Sequence, residues 1–189
     1  QSRVKLEPVG QIYEALHQGQ AIAKLNSSSD SHQFIAGLGN TAVFFEVRNN
    51  TELHKAEQSI EVNFKIQGLY HNNQKTYLTG SLTSSVATIL VVDYTNISEP
   101  SLNYSTKQFE FPSLQQIEHL AFTDSRVFLA DSRLKEGKYV SRILSVEKST
   151  MQKITEIEIP GRISVLKFHY ISITSWPRTI SVSNFKFLI

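Results

Sequence analysis

Two carboxylates are the first residues to weigh for chemistry. Asp93 closes the apolar run Ile89-Leu90-Val91-Val92, and Asp131 closes Val127-Phe128-Leu129-Ala130. A glycoside hydrolase uses such a pair, one carboxyl as general acid and the other as base or nucleophile. An Asp at a strand end also caps the turn that follows, because its side chain accepts hydrogen bonds from nearby backbone N–H groups; that reading is the favoured one. The histidines are His17, His32, His54, His71, His119 and His169. None stands in H-x-H or H-E-x-x-H spacing, so sequence alone sets no two of them together as metal ligands. His119 and His169 fall on candidate first strands of their repeats. The chain has no cysteine, which excludes thiolate metal sites, disulfides and a cysteine nucleophile. Gly37-Leu38-Gly39-Asn40 opens like a phosphate-cradling loop but lacks the third glycine and the following helix, so a hairpin turn is expected there. The expectation is a chain with no catalytic residues, no metal and no cofactor.

Binding chemistry is carried by other residues. Arg126, Arg133, Lys135, Lys138 and Arg142 form a basic stretch suited to an acidic partner or a glycan sulfate, diluted by Asp131 and Glu136; a solvated charged face is its ordinary meaning. Of these, Arg133, Lys135 and Arg142 are candidate partner contacts. Trp176, Tyr94 and Tyr104 are aromatics able to stack on a sugar or anchor an interface. Trp176 also fits a core position closing a last repeat. Asn26, Asn49, Asn96 and Asn103 each open an N-x-Ser/Thr sequon, the acceptor for N-linked glycan in a secreted chain.

Composition narrows the classes further. The 189 residues carry a net charge of +2 and are 19% charged, against about 25% in average globular proteins. So small a surplus argues against a nucleic-acid partner. No apolar run approaches the roughly 18 residues of a membrane-spanning helix. The chain starts at Gln1 and its one methionine is Met151, which reads as a processed or excised piece of a longer product. With the sequons, that gives an expectation of an extracellular or cell-surface setting.

The elements that must position these residues are strands. Residues 11–17 and 113–117 are the only tolerable helical stretches, and each is too short to stand alone. Elsewhere the period is two: Ile60, Val62, Phe64 and Ile66 alternate with polar residues, as do Ile157 and Ile159. Turn residues punctuate the runs at 37–40, 71–74, 123–125, 135–137, 160–161 and 176–177. The order of strands then repeats. Ile66–Tyr70, Lys75–Gly80, Ala87–Asp93 and Gln108–Pro112 match Ile117–Phe122, Arg126–Asp131, Val140–Val146 and Ile154–Pro160, turn for turn. A degraded copy precedes them, with residues 11–17 as its innermost strand and further strands at 33–37, 42–47 and 59–62. A partial copy follows, with strands at 163–168, 171–174 and 179–182. Four strands at a period of roughly fifty residues is the pattern of β-propeller blades, each burying its faces against its neighbours. The expected architecture is therefore all-β: a propeller, or part of one, of four-stranded antiparallel blades, in units 9–63, 64–113, 114–161 and an incomplete 162–189.

Ile89-Leu90-Val91-Val92-Asp93, followed by the polar stretch Tyr94-Thr95-Asn96-Ile97-Ser98-Glu99-Pro100, resembles propeller repeats with an LVIVD-type strand core. The third unit departs from that pattern, with Ser145-Val146-Glu147-Lys148-Ser149 and no proline, and the first departs further, with Phe45-Glu46-Val47-Arg48-Asn49. The resemblance covers roughly half the chain and implies the fold; propellers serve as enzymes, lectins, receptors and scaffolds alike. The expected function is a non-enzymatic protein-interaction module whose partner is another protein or further blades from another segment. A secreted glycan-binding protein is the alternative, and a glycoside hydrolase the second alternative.

Overall fold

Alternating apolar and polar residues put one face of a strand inside, and twelve strands form among the described residues, which are 21–27, 29–49, 52–83, 86–96, 103–163 and 166 of a computed structural model. They make three four-stranded antiparallel sheets, each taking its strands in chain order. The first holds β1 (Ile22–Ser27), β2 (Ser31–Leu38), β3 (Thr41–Arg48) and β4 (Glu52–Glu61). The second holds β5 (Lys65–Asn72), β6 (Lys75–Thr83), β7 (Val86–Asn96) and β8 (Asn103–Phe111). The third holds β9 (His119–Phe122), β10 (Arg126–Lys135), β11 (Lys138–Glu147) and β12 (Lys153–Pro160). No helix occurs among the described residues, and none there is long and apolar enough to cross a membrane.

Short turns set the registers. At the β2–β3 turn Gly39 takes a positive φ of 67°, and Asn73 does so at the β5–β6 turn with 56°. At the tip of β10 and β11 both central residues, Glu136 and Gly137, are left-handed, with φ of 52° and 77°. That is the type I′ geometry whose twist matches that of the flanking strands. The last strand of each sheet, β4, β8 and β12, is an edge strand and carries a lysine, at Lys55, Lys107 and Lys153. The β3–β4 and β11–β12 ladders also slip register, between Val43 and Phe45 and between Ser145 and Val146. Charge and bulges of this kind discourage an outer strand from pairing with another chain.

The chain divides into two compact units, Gln1–Leu82 with Thr88–Glu110, and Thr83–Ala87 with Phe111–Ile189. In the first unit, Ala23, Leu25, Ile35 and Phe44 of the first sheet meet Ile66, Leu78, Leu90 and Val92 of the second in one core. Ile35, Leu78 and Val92 are fully buried, and burial of each such side chain contributes roughly 1.5–3 kcal/mol. The two sheets come close enough that a Cβ on Gly37 would stand 2.7 Å from Ile66 Cγ2. The second unit buries residues on both faces of its sheet. Val127, Leu129, Leu144 and Val146 lie on one face by register, and Phe128, Ala130 and Ile143 on the other, where Ala121, Ile163 and Leu166 join them.

The strand boundaries differ from the sequence reading at several ends: β4 starts at Glu52 rather than at 59, and β8 at Asn103 rather than at Gln108. The position beside β2 belongs to Ile22–Ser27, a strand the alternation did not reveal; residues 11–17 lie outside the described residues. β10 and β11 run on past Asp131 and start before Val140, meeting at Glu136 and Gly137 as one long hairpin. Ile163 and Leu166 are buried but lie in no strand, while 171–174 and 179–182 lie outside the described residues.

Candidate functional site

Among the described residues, a buried carboxylate and two arginines come together in the second unit, around Asp131. Alternation along β10 puts Asp131 and Arg133 on one face, and the β10–β11 register places Arg142 opposite Asp131 on that face. Asp131 is 1% exposed. Its Oδ2 accepts the backbone N–H of Gln115 at 2.9 Å, and its Oδ1 finds no hydrogen-bond partner among the described residues. Burial is the largest influence on this carboxyl and pushes its pKa up; the Gln115 N–H and the Arg133 and Arg142 charges oppose it, and Glu118 reinforces it. The two arginines converge on one acceptor. Arg133 Nη2 and Arg142 Nη1 donate to the Ser113 carbonyl at 2.9 and 2.8 Å. Arg142 Nε also donates to Glu158 at 3.2 Å, and its Nη1 lies 3.7 Å from Glu156. What this arrangement does is fasten residues 113–115, on the approach to β9, against β10 and β11.

A second polar set fastens the chain on the opposite face. Ser141 Oγ donates to the Gly161 carbonyl at 2.7 Å, which leaves the Ser132 hydroxyl to donate to Ser141 Oγ at 2.8 Å. The Ile163 N–H reaches both serines, at 3.2 and 3.4 Å. His119 Nε2 lies 2.9 Å from the Ile163 carbonyl; a carbonyl only accepts, so Nε2 carries the proton. Ser132, Ser141 and His119 thus spend their polar atoms on the segment leaving β12. Sequence reasoning missed this set because single serines within strands give no signal until the register places them opposite each other.

The other candidates separate. Asp93 lies in the first unit and forms an ion pair with Lys75 at 2.8 Å, with 45% of its side chain exposed. Tyr94, a candidate surface aromatic, is 1% exposed instead. It stands in a ring cluster with Phe44 and Tyr104, centroids 6.2–6.5 Å apart. Tyr104 is half-buried against the same core. Both rings are drawn in because they lie where β7 and β8 face the apolar side of β3. His71 packs 6.2 Å from Tyr94, with its Nδ1 3.0 Å from the Thr76 hydroxyl. Burial lowers the His71 pKa, opposed by a backbone hydrogen bond at Asn73. Gly39 and Asn40 form the β2–β3 hairpin turn. Trp176, His17 and His169 lie outside the described residues.

The basic stretch divides by position. Arg126 begins β10 opposite Glu147, at the far end of the strand from the tip. Arg133 and Arg142 are committed to the Ser113 carbonyl. Lys135 and Lys138 face each other at the exposed hairpin tip.

The sequons fall in a pattern that chain order alone does not display. Asn26 is near the end of β1, Asn49 follows β3, Asn96 ends β7 and Asn103 begins β8. All four therefore lie at the end of their own sheet where the first strand turns into the second and the third into the fourth. Asn49 and Asn103 are exposed. Among the described residues, no three His, Asp or Glu side chains gather as a metal site. No protein-family model matches the chain, and no curated protein matches its sequence.

Proposed function

We propose that the chain is a β-propeller-type interaction scaffold, a non-enzymatic module that works as part of a larger chain or assembly. The observation that supports this most is the succession of three four-stranded meanders, each complete before the next begins. Such units bury their faces by stacking on like units, and rigid stacked sheets present turns and strand ends to partners. The buried polar groups fit the same reading. Asp131, Arg133, Arg142, Ser132, Ser141 and His119 hold incoming and outgoing segments to the third sheet, as a repeat must hold its neighbours. The sequon pattern supports an extracellular or cell-surface setting, with glycan at one end of the first two sheets.

The test is reconstitution. Photo-crosslinking in the native setting, followed by mass spectrometry, identifies a neighbour, which is then purified and titrated against the chain. The expected result is a saturable complex from which both proteins are recovered chemically unchanged. Turnover of a glycoside that Asp131→Asn or Asp93→Asn abolishes with the fold intact would replace the scaffold with a hydrolase.

A further inference from the structure

The β10–β11 hairpin outruns its sheet. β9 pairs only with Val127–Ala130, so the ribbon beyond Asp131 extends past the short strand. Segments 113–115 and 161–163 are fastened across its base, and its last turn is open. Two large apolar side chains stand there, Leu134 at 64% exposure and Tyr139 at 46%. They are partners across the ladder. A two-residue turn makes the pair flanking it hydrogen-bonded and the next pair, this one, non-hydrogen-bonded, with side chains close together. The patch is also held in place: the Gly161 N–H donates to the Tyr139 carbonyl at 2.8 Å, and the Arg162 guanidinium lies 5.6 Å from the centre of the Tyr139 ring. Arg162 is the cation beside the pair and is 57% exposed, while Lys135 and Lys138, one rung on, are exposed at the turn on the opposite face of the hairpin, and Glu136 is the one acid within the turn. Glu118 stands 3.7 Å from Arg162.

We infer that this hairpin tip is the docking surface of the module, and that its partner is a protein segment alternating acidic with apolar residues. The inference rests on the interaction reading above and names its site. A partner Leu or Phe covers the Leu134–Tyr139 pair while a neighbouring carboxylate meets Arg162 on that face and a further one reaches the two lysines around the turn. Tyrosine and arginine are the side chains on which interface energy concentrates, and both are positioned before binding, which reduces the ordering cost of association.

Two measurements on the full chain test it. Because the chain has no cysteine, Leu134→Cys introduces a single thiol. It reacts with a maleimide at nearly the rate of a free thiol if the tip is open; strong protection, from the chain's own remaining residues or from a second copy, overturns the inference. Selection from a displayed random-peptide library then identifies sequences that bind the whole chain. The expected winners carry Asp or Glu beside Leu or Phe. As labelled synthetic peptides they lose about tenfold or more in affinity, the loss of one interface side chain, to Leu134→Ser and to Lys135→Glu with Lys138→Glu. The lysine variants alter exposed positions only and keep the test open if Leu134→Ser folds poorly. Winners that bind those variants unchanged overturn the tip while leaving the interaction module standing. No enriched peptide, or retention on phosphatidylserine–phosphatidylcholine vesicles or heparin in place of any peptide, overturns the partner class.

Discussion

At Asp131 burial and neighbouring cations pull on one proton in opposite directions, and burial dominates. The reference value is 3.8. Held above that in the fold, the carboxyl binds its proton more tightly folded than unfolded. Its contribution to stability is therefore complete below that pH and is lost as pH rises through the folded value. Asp131→Asn removes this dependence, so the difference in urea midpoint between wild type and variant should shift in the variant's favour as pH rises through that window. Parallel profiles would contradict it. Tyrosines set the alkaline limit. Burial pushes Tyr77 up to about 12, helped by the Asp93 charge, and burial also raises Tyr94 and Tyr70. Each remains neutral in the fold above the ordinary value of 10, so stability falls as pH rises beyond it. A spectroscopic tyrosinate titration should show exposed rings ionising first and these three only on further alkalisation or with unfolding. One step near pH 10 with the fold intact is the contrary result.

Elements carry the next tests. A Cβ on Gly80 would collide with the Lys65 carbonyl oxygen and the Phe64 ring. Gly80→Ala should therefore cost about 1–3 kcal/mol, the usual penalty of overpacking, measured by chemical denaturation; an unchanged midpoint would mean β5 and β6 approach less closely. Sequons at equivalent sheet ends predict that secretory expression adds glycan mass removable by an N-glycosidase, and that Asn49→Gln and Asn103→Gln each remove one increment. A mass equal to that of the bare chain would refute this. The middles of β5–β8 and β9–β12 are legible from their β-branched and aromatic runs, with Asn73, Asp124 and Gly137 marking three of the turns between them. β1 is not, because Ile22-Ala23-Lys24-Leu25-Asn26-Ser27 runs into polar serines and has few β-branched residues. The basic stretch was legible as composition. Only the register shows that two of its arginines meet one carbonyl and that two of its lysines face each other at a turn. Tyr94 and Tyr104 look alike on paper to surface aromatics, and only sheet-on-sheet packing decides that they go inside.

For the whole molecule the claim is that each run of four strands closes on itself as one sheet before the chain moves on, and that such sheets repeat. Backbone interstrand NOEs in a deuterated, isotope-labelled sample test this directly. The account predicts ladder contacts between strands consecutive in the chain, such as Val127 with Val146, Phe128 with Ala121 and Phe34 with Phe45. It predicts no ladder joining β4 to β5 or β8 to β9. Ladder NOEs that join strands of different sets into one continuous sheet or barrel would contradict it.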